Sequence, residues 1–581
     1  MKKRCYIIVL LLYSFLAQAQ QHYLKGEVRD ESGNLLQNVS IRHVRSGYVF
    51  YSGLSGGFGI QSTTQTDSLI FSKDGFHKLA ILATASGFNK VTLKKNGSST
   101  KGLGFKLISL TNGFKKEAQQ QWFVGDESYA STIENGFVPA DRYASTRLSL
   151  NVDKASYSNI RRFLNSGKQV PPDAVRMEEM INYFNLRYTP PPSGKTFEIQ
   201  STLTTCPWNE TNHLLFARVT SKKIDTESLP PTHLVFLIDV SASMDMDNRM
   251  PLIKAGFTGL VNNLRPKDSV SLVVYGGTTA VLLKSVSGGD KTRILQTIDS
   301  LETGGSTPGE SDIRLAYTIA RKHFIKDGNN RVILATDGDF NVGARSETEL
   351  EEMINAQKEA GIYLTCLGVG MGNYKDSKIQ TLAQKGNGNF AYIDTYAEAE
   401  KVLVKEFTQT MYAVGDDVHL NVQFDPSYVK EYRLLGFDNK AGAFKDTLAT
   451  MDGGTMGSAS SVVVAFEIVP VGTVKSNEGQ TTRFTLSYTS PENKFEEITE
   501  APVLQVMPFT AIDKQYQFAS SVMMFGALLK ESRFAKTISW DKVIAIARQS
   551  ADETIPSQKE FLSLVVKAKE LYGKKKKKKL F

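Results

Sequence analysis

Leu234-Val-Phe-Leu-Ile-Asp239-Val-Ser241-Ala-Ser243 runs five continuous apolar side chains straight into Asp-x-Ser-x-Ser. An unbroken apolar run of this length marks a strand buried on both faces, as in a parallel sheet covered by helices. Leu252 to Leu264 follows with helical periodicity. Val332-Ile-Leu-Ala is a second such strand, ending in Thr336-Asp337-Gly338, and Gly304-Gly-Ser-Thr307 precedes the helical run Ile313 to Phe324. From Thr232 to about Tyr412 apolar β runs alternate with helical patterns, which implies parallel strands joined by helical crossovers. In an open sheet of that kind ligands bind beyond the carboxyl ends of the strands, where Asp239 and Asp337 emerge.

Oxygen donors in this arrangement suit a hard divalent ion. Mg²⁺ takes six oxygens in near-octahedral array and sheds water reluctantly; Mn²⁺ and Ca²⁺ are alternatives that the residues leave open. Ser241, Ser243 and Thr307 supply hydroxyls for direct ligation, and Asp239 and Asp337 hold ligated waters and those hydroxyls. Neutral hydroxyls do not quench the ion's charge, so it keeps a position for a carboxylate from outside. Asp-x-Ser-x-Ser alone arises by chance in ordinary compositions, so the strand context carries the specificity.

With those residues in place the segment resembles the von Willebrand factor type A (vWA) domain, and Asp239, Ser241, Ser243, Thr307 and Asp337 match its metal-ion-dependent adhesion site. Leu150-Asn-Val-Asp-Lys-Ala-Ser-Tyr-Ser-Asn-Ile-Arg-Arg-Phe-Leu-Asn, Met177-Glu-Glu-Met-Ile-Asn-Tyr-Phe and Ala335-Thr-Asp-Gly-Asp-Phe-Asn-Val-Gly resemble a bacterial subfamily with its own flanking segments, about 125–228 and 415–570. The resemblance implies metal-mediated contact with a protein presenting an Asp or Glu. Three features depart from the family pattern. Ala242 replaces a common Gly, Glu310 stands in the Thr307 loop where it could fold back onto the metal, and Ala441 to Gly457 lacks an expected acidic, Gly-containing pattern.

Outward from this centre the expected organisation is multidomain: an α/β Rossmann-like vWA domain, 229–413, inserted in a β-sandwich-like frame. The frame comprises 125–228, helices then strands, and a β-rich 414–510 pairing with 197–220. A helical region comes next at 511–570 and a Lys-rich tail at 571–581. Asp153 is expected to cap a helix Lys154 to Asn165, and Asp173 another from Ala174 to Phe184. Residues 21–108 read as an all-β sandwich, and Gly26-Glu-Val-Arg-Asp, Ser55-Gly-Gly-Phe and Phe71-Ser-Lys-Asp-Gly-Phe resemble the carboxypeptidase regulatory-like domain, departing at Ser55 where Asp is more usual. A linker, 109–124, joins it to the rest.

Lys2, Lys3 and Arg4 before the apolar run Tyr6 to Leu16, with Ala17-Gln-Ala19 after it, read as a signal peptide spanning 1–19. The expected location is therefore the periplasm, the outer membrane's surface or the exterior, with no membrane span in the mature chain. That peptide and Lys574 to Lys579 together account for the whole formal charge of +9. The folded body is neutral, which argues against nucleic-acid binding. The lysine run reads as a solvated disordered tail, and Cys206 and Cys366 as buried free thiols.

Several patterns are set aside. Gly53-Leu-Ser55-Gly-Gly57 lacks the strand-to-helix turn of a nucleophile elbow, and no His has zinc-site spacing. Asp245 and Asp247 read as acidic residues favoured by a helix N-terminus. With no general base in view, a metal-dependent binding module of the envelope is expected rather than an enzyme. A structural scaffold is the alternative, and a metal-dependent hydrolase stands behind it.

Overall fold

The structure is a computed structural model that describes residues 22–95, 127–129, 133–304 and 310–578, except 37–38, 46–48, 53–55, 63, 74, 187, 226, 277–278, 339–343, 372–373, 438–452, 473–479 and 491–493. Thr307, the signal peptide, the 109–124 linker and most of Ala441 to Gly457 lie outside the described residues. The chain divides into two compact units, Met1–Gly104 and Phe105–Phe581.

The first unit packs a three-stranded sheet (Gly57–Ser62, His22–Asp30, Phe88–Leu93) with a four-stranded one (Val49–Tyr51, Ser40–His43, Thr66–Ser72, Leu79–Thr84). Thr66–Ser72 buries every second residue, so Leu69 and Phe71 face the core with Leu24, Val28, Ile41, Ile60 and Val91. Gly26 permits the parallel pairing of His22–Asp30 with Phe88–Leu93, because a Cβ there would lie 2.1 Å from the Asn89 carbonyl oxygen.

In the second unit, strands from either side of the α/β segment share sheets. Asn209–Ser221 pairs antiparallel with Ser461–Pro470, setting Leu215 opposite Phe466 and Ala217 opposite Val464. Ala413–Phe424, Gln480–Thr489 and Ser145–Ser149 lie in the other sheet. Leu148, Phe197, Leu215, Val219, Leu420, Val464 and Phe484 join both sheets in one core, so the flanks form a sandwich interrupted by a whole domain.

That domain has six strands: β1 (Thr232–Asp239), β2 (Ser269–Tyr275), β3 (Ala280–Ser287), β4 (Asn329–Thr336), β5 (Ile362–Val369) and β6 (Phe390–Ile393). Their order is β3-β2-β1-β4-β5-β6, all parallel except the antiparallel edge β3. Every residue of β1 is buried. Leu234, Phe236 and Ile238 fill the core on one face, while Val235 and Leu237 fill the core on the other. Burying one such side chain is worth about 1.5–3 kcal/mol, which explains why the run has no polar interruption until Asp239. After β1 the chain builds one half of the sheet and then returns to β4 for the other. The crevice at that reversal lies between the ends of β1 and β4.

The two expected helix caps are corrected. The helix is Ala155–Asn165, and Asp153 instead accepts the Phe390 backbone N–H at 2.9 Å, tying the segment to β6. The cap comes from elsewhere, as the Glu179 carboxylate accepts the Ser156 N–H at 2.9 Å. Pro172–Ala174 is a 3-10 turn and the next helix is Met177–Tyr183, so Asp173 caps no helix through Phe184. Lys514–Leu529, Trp540–Ser550 and Pro556–Lys578 pack on these helices through Phe184, Phe518 and Phe561. The last helix continues through Lys574–Lys578, correcting the expectation of a disordered tail for that stretch. Among the described residues no helix is long and apolar enough to cross a membrane. Cys206 and Cys366 are buried and free, and burial pushes the Cys206 thiol up to about 12.

Candidate metal centre

The β1 strand delivers Asp239 fully buried, and the chain turns so that its carboxylate accepts the Ser241 backbone N–H at 2.9 Å. The Ser241 and Ser243 hydroxyl oxygens lie 3.0 Å apart. Backbone packing allows that turn: a Cβ at Gly276, where φ is +114°, would sit 2.3 Å from the Ser241 nitrogen. From β4, Thr336 donates to the second Asp239 oxygen at 3.4 Å, and Asp337 comes next, 5% exposed. Two acids and two hydroxyls therefore meet at the carboxyl ends of adjacent strands. The Thr307 loop leaves from beside them, since the Gly304 N–H donates to the Val240 carbonyl at 2.7 Å. Glu310 begins the helix Glu310–Lys322.

Burial raises the Asp239 carboxyl to about 6, against hydrogen bonds from Ser241 and Tyr275 that favour its ionised form; the Asp337 charge adds to the rise. A divalent ion bound here would relieve that penalty, because it would stabilise both carboxylates at once. Among the described residues no group of three or more His, Cys, Asp or Glu gathers to hold a metal. The donors here are hard oxygens, and they fit a hard divalent cation rather than zinc.

One cation already lies at the centre. Arg249, 6% exposed, donates from Nη1 to an Asp337 oxygen and to the Ser243 carbonyl at 2.6 Å, and from Nη2 to the Met371 carbonyl at 3.0 Å. It thus joins the β1, β4 and β5 loops. Its passage depends on Gly370, where a Cβ would sit 2.3 Å from the Arg249 Nε. Asp245 and Asp247 are exposed and lie just before the N-terminus of the helix Met250–Asn262, outside its first turn.

Comparison with known proteins accords with this geometry. The family model "von Willebrand factor type A domain" matches residues 233–409, "von Willebrand factor" matches 124–216, and "Uncharacterized protein YfbK, C-terminal" matches 409–571. "Uncharacterized protein YfbK" of Escherichia coli (strain K12) is 36% identical over 442 residues, covering 72% of this chain and 76% of that protein. The chain belongs to the YfbK-like von Willebrand factor type A family. The "Magnesium-chelatase 67 kDa subunit" of Chlorobaculum tepidum is 29% identical over 189 residues, 30% of either chain. Among solved structures, the ArnB paralog VWA2 from Sulfolobus acidocaldarius is 18% identical, covering 65% of this chain and 98% of that one, with a TM-score of 0.33. A von Willebrand factor type A protein from Catenulispora acidiphila is 15% identical, covering 62% and 89%, with a TM-score of 0.37.

Sequence reasoning missed three residues of this candidate centre: Arg249, Tyr275 and Thr336. Arg249 stands just before a helix, where the dipole disfavours a cation, but nothing local names the carboxylate, 88 positions on, that pairs with it.

The Asp239 shift gives a test. Its folded-state value lies above the ordinary 3.8, so the metal-free fold loses stability as pH rises from about 4 to about 6, by on the order of 2–3 kcal/mol. Asp239→Asn is expected to raise the melting temperature of the metal-free protein at pH 7.5 and to abolish its response to Mg²⁺. In the unsubstituted protein, millimolar Mg²⁺ should raise the melting temperature more at pH 7.5 than at pH 5, where protons compete for Asp239. Equal Mg²⁺ responses of Asp239→Asn and the parent would remove Asp239 from the centre.

Proposed function

We propose that this vWA protein is a divalent-metal-dependent protein-binding module of the cell envelope. Ser241, Ser243 and Thr307 would ligate the ion and Asp239 and Asp337 would hold it through water. The ion, with its charge only partly quenched, supplies a site for an Asp or Glu carboxylate of a partner protein. The observation that carries this reading is the meeting of Asp239, Ser241, Ser243 and Asp337 at the ends of β1 and β4, with two hydroxyls 3.0 Å apart. The vWA relationship supports metal-dependent protein interaction in general. The sequence-level leader at 1–19 supports the envelope location.

Binding is favoured over hydrolysis because the acids and Arg249 are committed to the ion's surroundings. Asp239 accepts the Ser241 N–H and Asp337 accepts from the Arg249 guanidinium, contacts that hold the loops around the ion's place. The test is retention of partners from envelope extract by the mature protein in Mg²⁺ and in chelator, beside Ser241→Ala/Ser243→Ala with its folding verified. A partner held only by the intact protein with metal is the expected result. Equal retention in every condition would leave the scaffold reading in its place.

A further inference from the structure

Around the candidate centre two large apolar side chains stand in solvent: Met246 is 53% exposed and Met371 is 36% exposed. Both residues serve the site through their backbones. The Met246 carbonyl accepts the Arg249 N–H at 3.0 Å, and the Met371 carbonyl accepts the Arg249 guanidinium at 3.0 Å. The same guanidinium bonds Asp337 and Ser243, so the backbones of both methionines are tied to the arginine at the centre while their side chains are exposed. A single exposed apolar residue is ordinary on a protein surface, whereas two brought to one rim form the beginning of a contact patch. Methionine suits that role, since its flexible, polarizable thioether adapts to different apolar partners. Asp245 and Asp247 flank Met246, both exposed and both outside the helix that comes after them. They give the patch a negative border beside a metal that itself attracts an anion.

We infer that the partner is engaged through an extended segment whose metal-seeking Asp or Glu is accompanied by an apolar residue and a basic residue. The carboxylate goes to the ion, the apolar side chain packs on Met246 and Met371, and the basic one pairs with Asp245 or Asp247. This selectivity rests on the carboxylate-capture reading above. A free carboxylate, or an acidic segment with acidic neighbours, meets repulsion from Asp245 and Asp247 and leaves the methionines uncovered. Charge on the rim governs encounter and discrimination more than total affinity, so the basic preference weakens as salt rises.

The experiment is selection from two displayed libraries of seven-residue segments, one with a fixed central Asp and one with Asn. The full mature chain is the bait, with binding in Mg²⁺ and elution by chelator. The Asp library is expected to yield chelator-eluted clones enriched in Leu, Ile, Met or Phe together with Lys or Arg. Met246→Ser/Met371→Ser should then weaken those clones about tenfold, and Asp245→Asn/Asp247→Asn about threefold, mainly for the basic clones. Each variant is compared at a Mg²⁺ concentration shown by calorimetry to saturate it, so that a change in ion affinity does not enter the comparison. Asp-dependent clones with no flanking preference, or clones indifferent to all four substitutions, would overturn the rim and leave carboxylate capture standing. No advantage of the Asp library over the Asn library would overturn carboxylate capture, and the rim with it.

Discussion

Replacing Arg249 by methionine is expected to lower the stability of the metal-free protein by about 3–5 kcal/mol and to make it far more dependent on Mg²⁺ than the parent. Breaking one side of a buried ion pair leaves the other charge uncompensated, which is the source of that magnitude. Here the group that loses its arginine is Asp337, 5% exposed and close enough to Asp239 for its charge to raise that carboxyl. A divalent ion between the two acids supplies the missing positive charge, so saturating Mg²⁺ should recover more than half of the loss. Chemical denaturation with and without Mg²⁺ reads both quantities. A variant destabilised equally in the two conditions would mean that the ion does not sit beside Asp337. Methionine keeps the apolar stem of arginine up to the Nε position, and the packing lost with the guanidinium is the same with and without Mg²⁺, so it cancels in the comparison of the two conditions.

The centre was legible where it depends on strand ends and illegible where it depends on contacts across the fold. Asp239 and Asp337 could be placed because each terminates an unbroken apolar run, and runs buried on both faces end at the same edge of a parallel sheet. The hydroxyls at 241 and 243 could be placed from their spacing to Asp239. Arg249 pairs with a residue 88 positions away, and no local pattern records such a pairing. The same limit explains the caps. Asp153 sits where a helix cap belongs, yet β6 comes close enough to claim its carboxylate with the Phe390 N–H, while Glu179 reaches Ser156 from the next helix. Tertiary proximity overrode a local preference worth about 1 kcal/mol. The sandwich frame was legible from the return of alternating runs after residue 415, whereas the register that sets Leu215 against Phe466 depends on closing a domain-sized loop.

A second buried arginine holds that inserted domain to its surroundings, and Arg161→Met is expected to cost about 3–5 kcal/mol. Arg161 donates from Nε to Asp394 at 2.7 Å, from Nη2 to Glu398 at 2.7 Å, and from Nη1 to Tyr183 at 3.1 Å and Glu560 at 3.0 Å. Its four partners come from the α/β domain, the Met177–Tyr183 helix and the terminal helix Pro556–Lys578, so one guanidinium joins three parts of the second unit. Asp394 is the group most affected by its loss. Burial already raises that carboxyl despite the hydrogen bond and charge of Arg161, and without the arginine it rises further. A raised carboxyl imposes its penalty as pH climbs through its folded-state value, so the deficit should be larger at neutral pH and smaller at mildly acidic pH, toward the ordinary carboxyl value of 3.8. Urea denaturation of Arg161→Met and the parent at the two pH values measures this. A deficit that does not change with pH would assign the role of Arg161 to packing over Tyr157 and Tyr183, whose rings lie 5.8 and 5.9 Å from its guanidinium carbon. The centre lies at the ends of β1 and β4, whereas Asp394 follows β6, two strands beyond β4 in the same sheet, so Mg²⁺ affinity of the folded variant should match the parent. That separation would distinguish an arginine that anchors the domain from Arg249, which supports the centre itself.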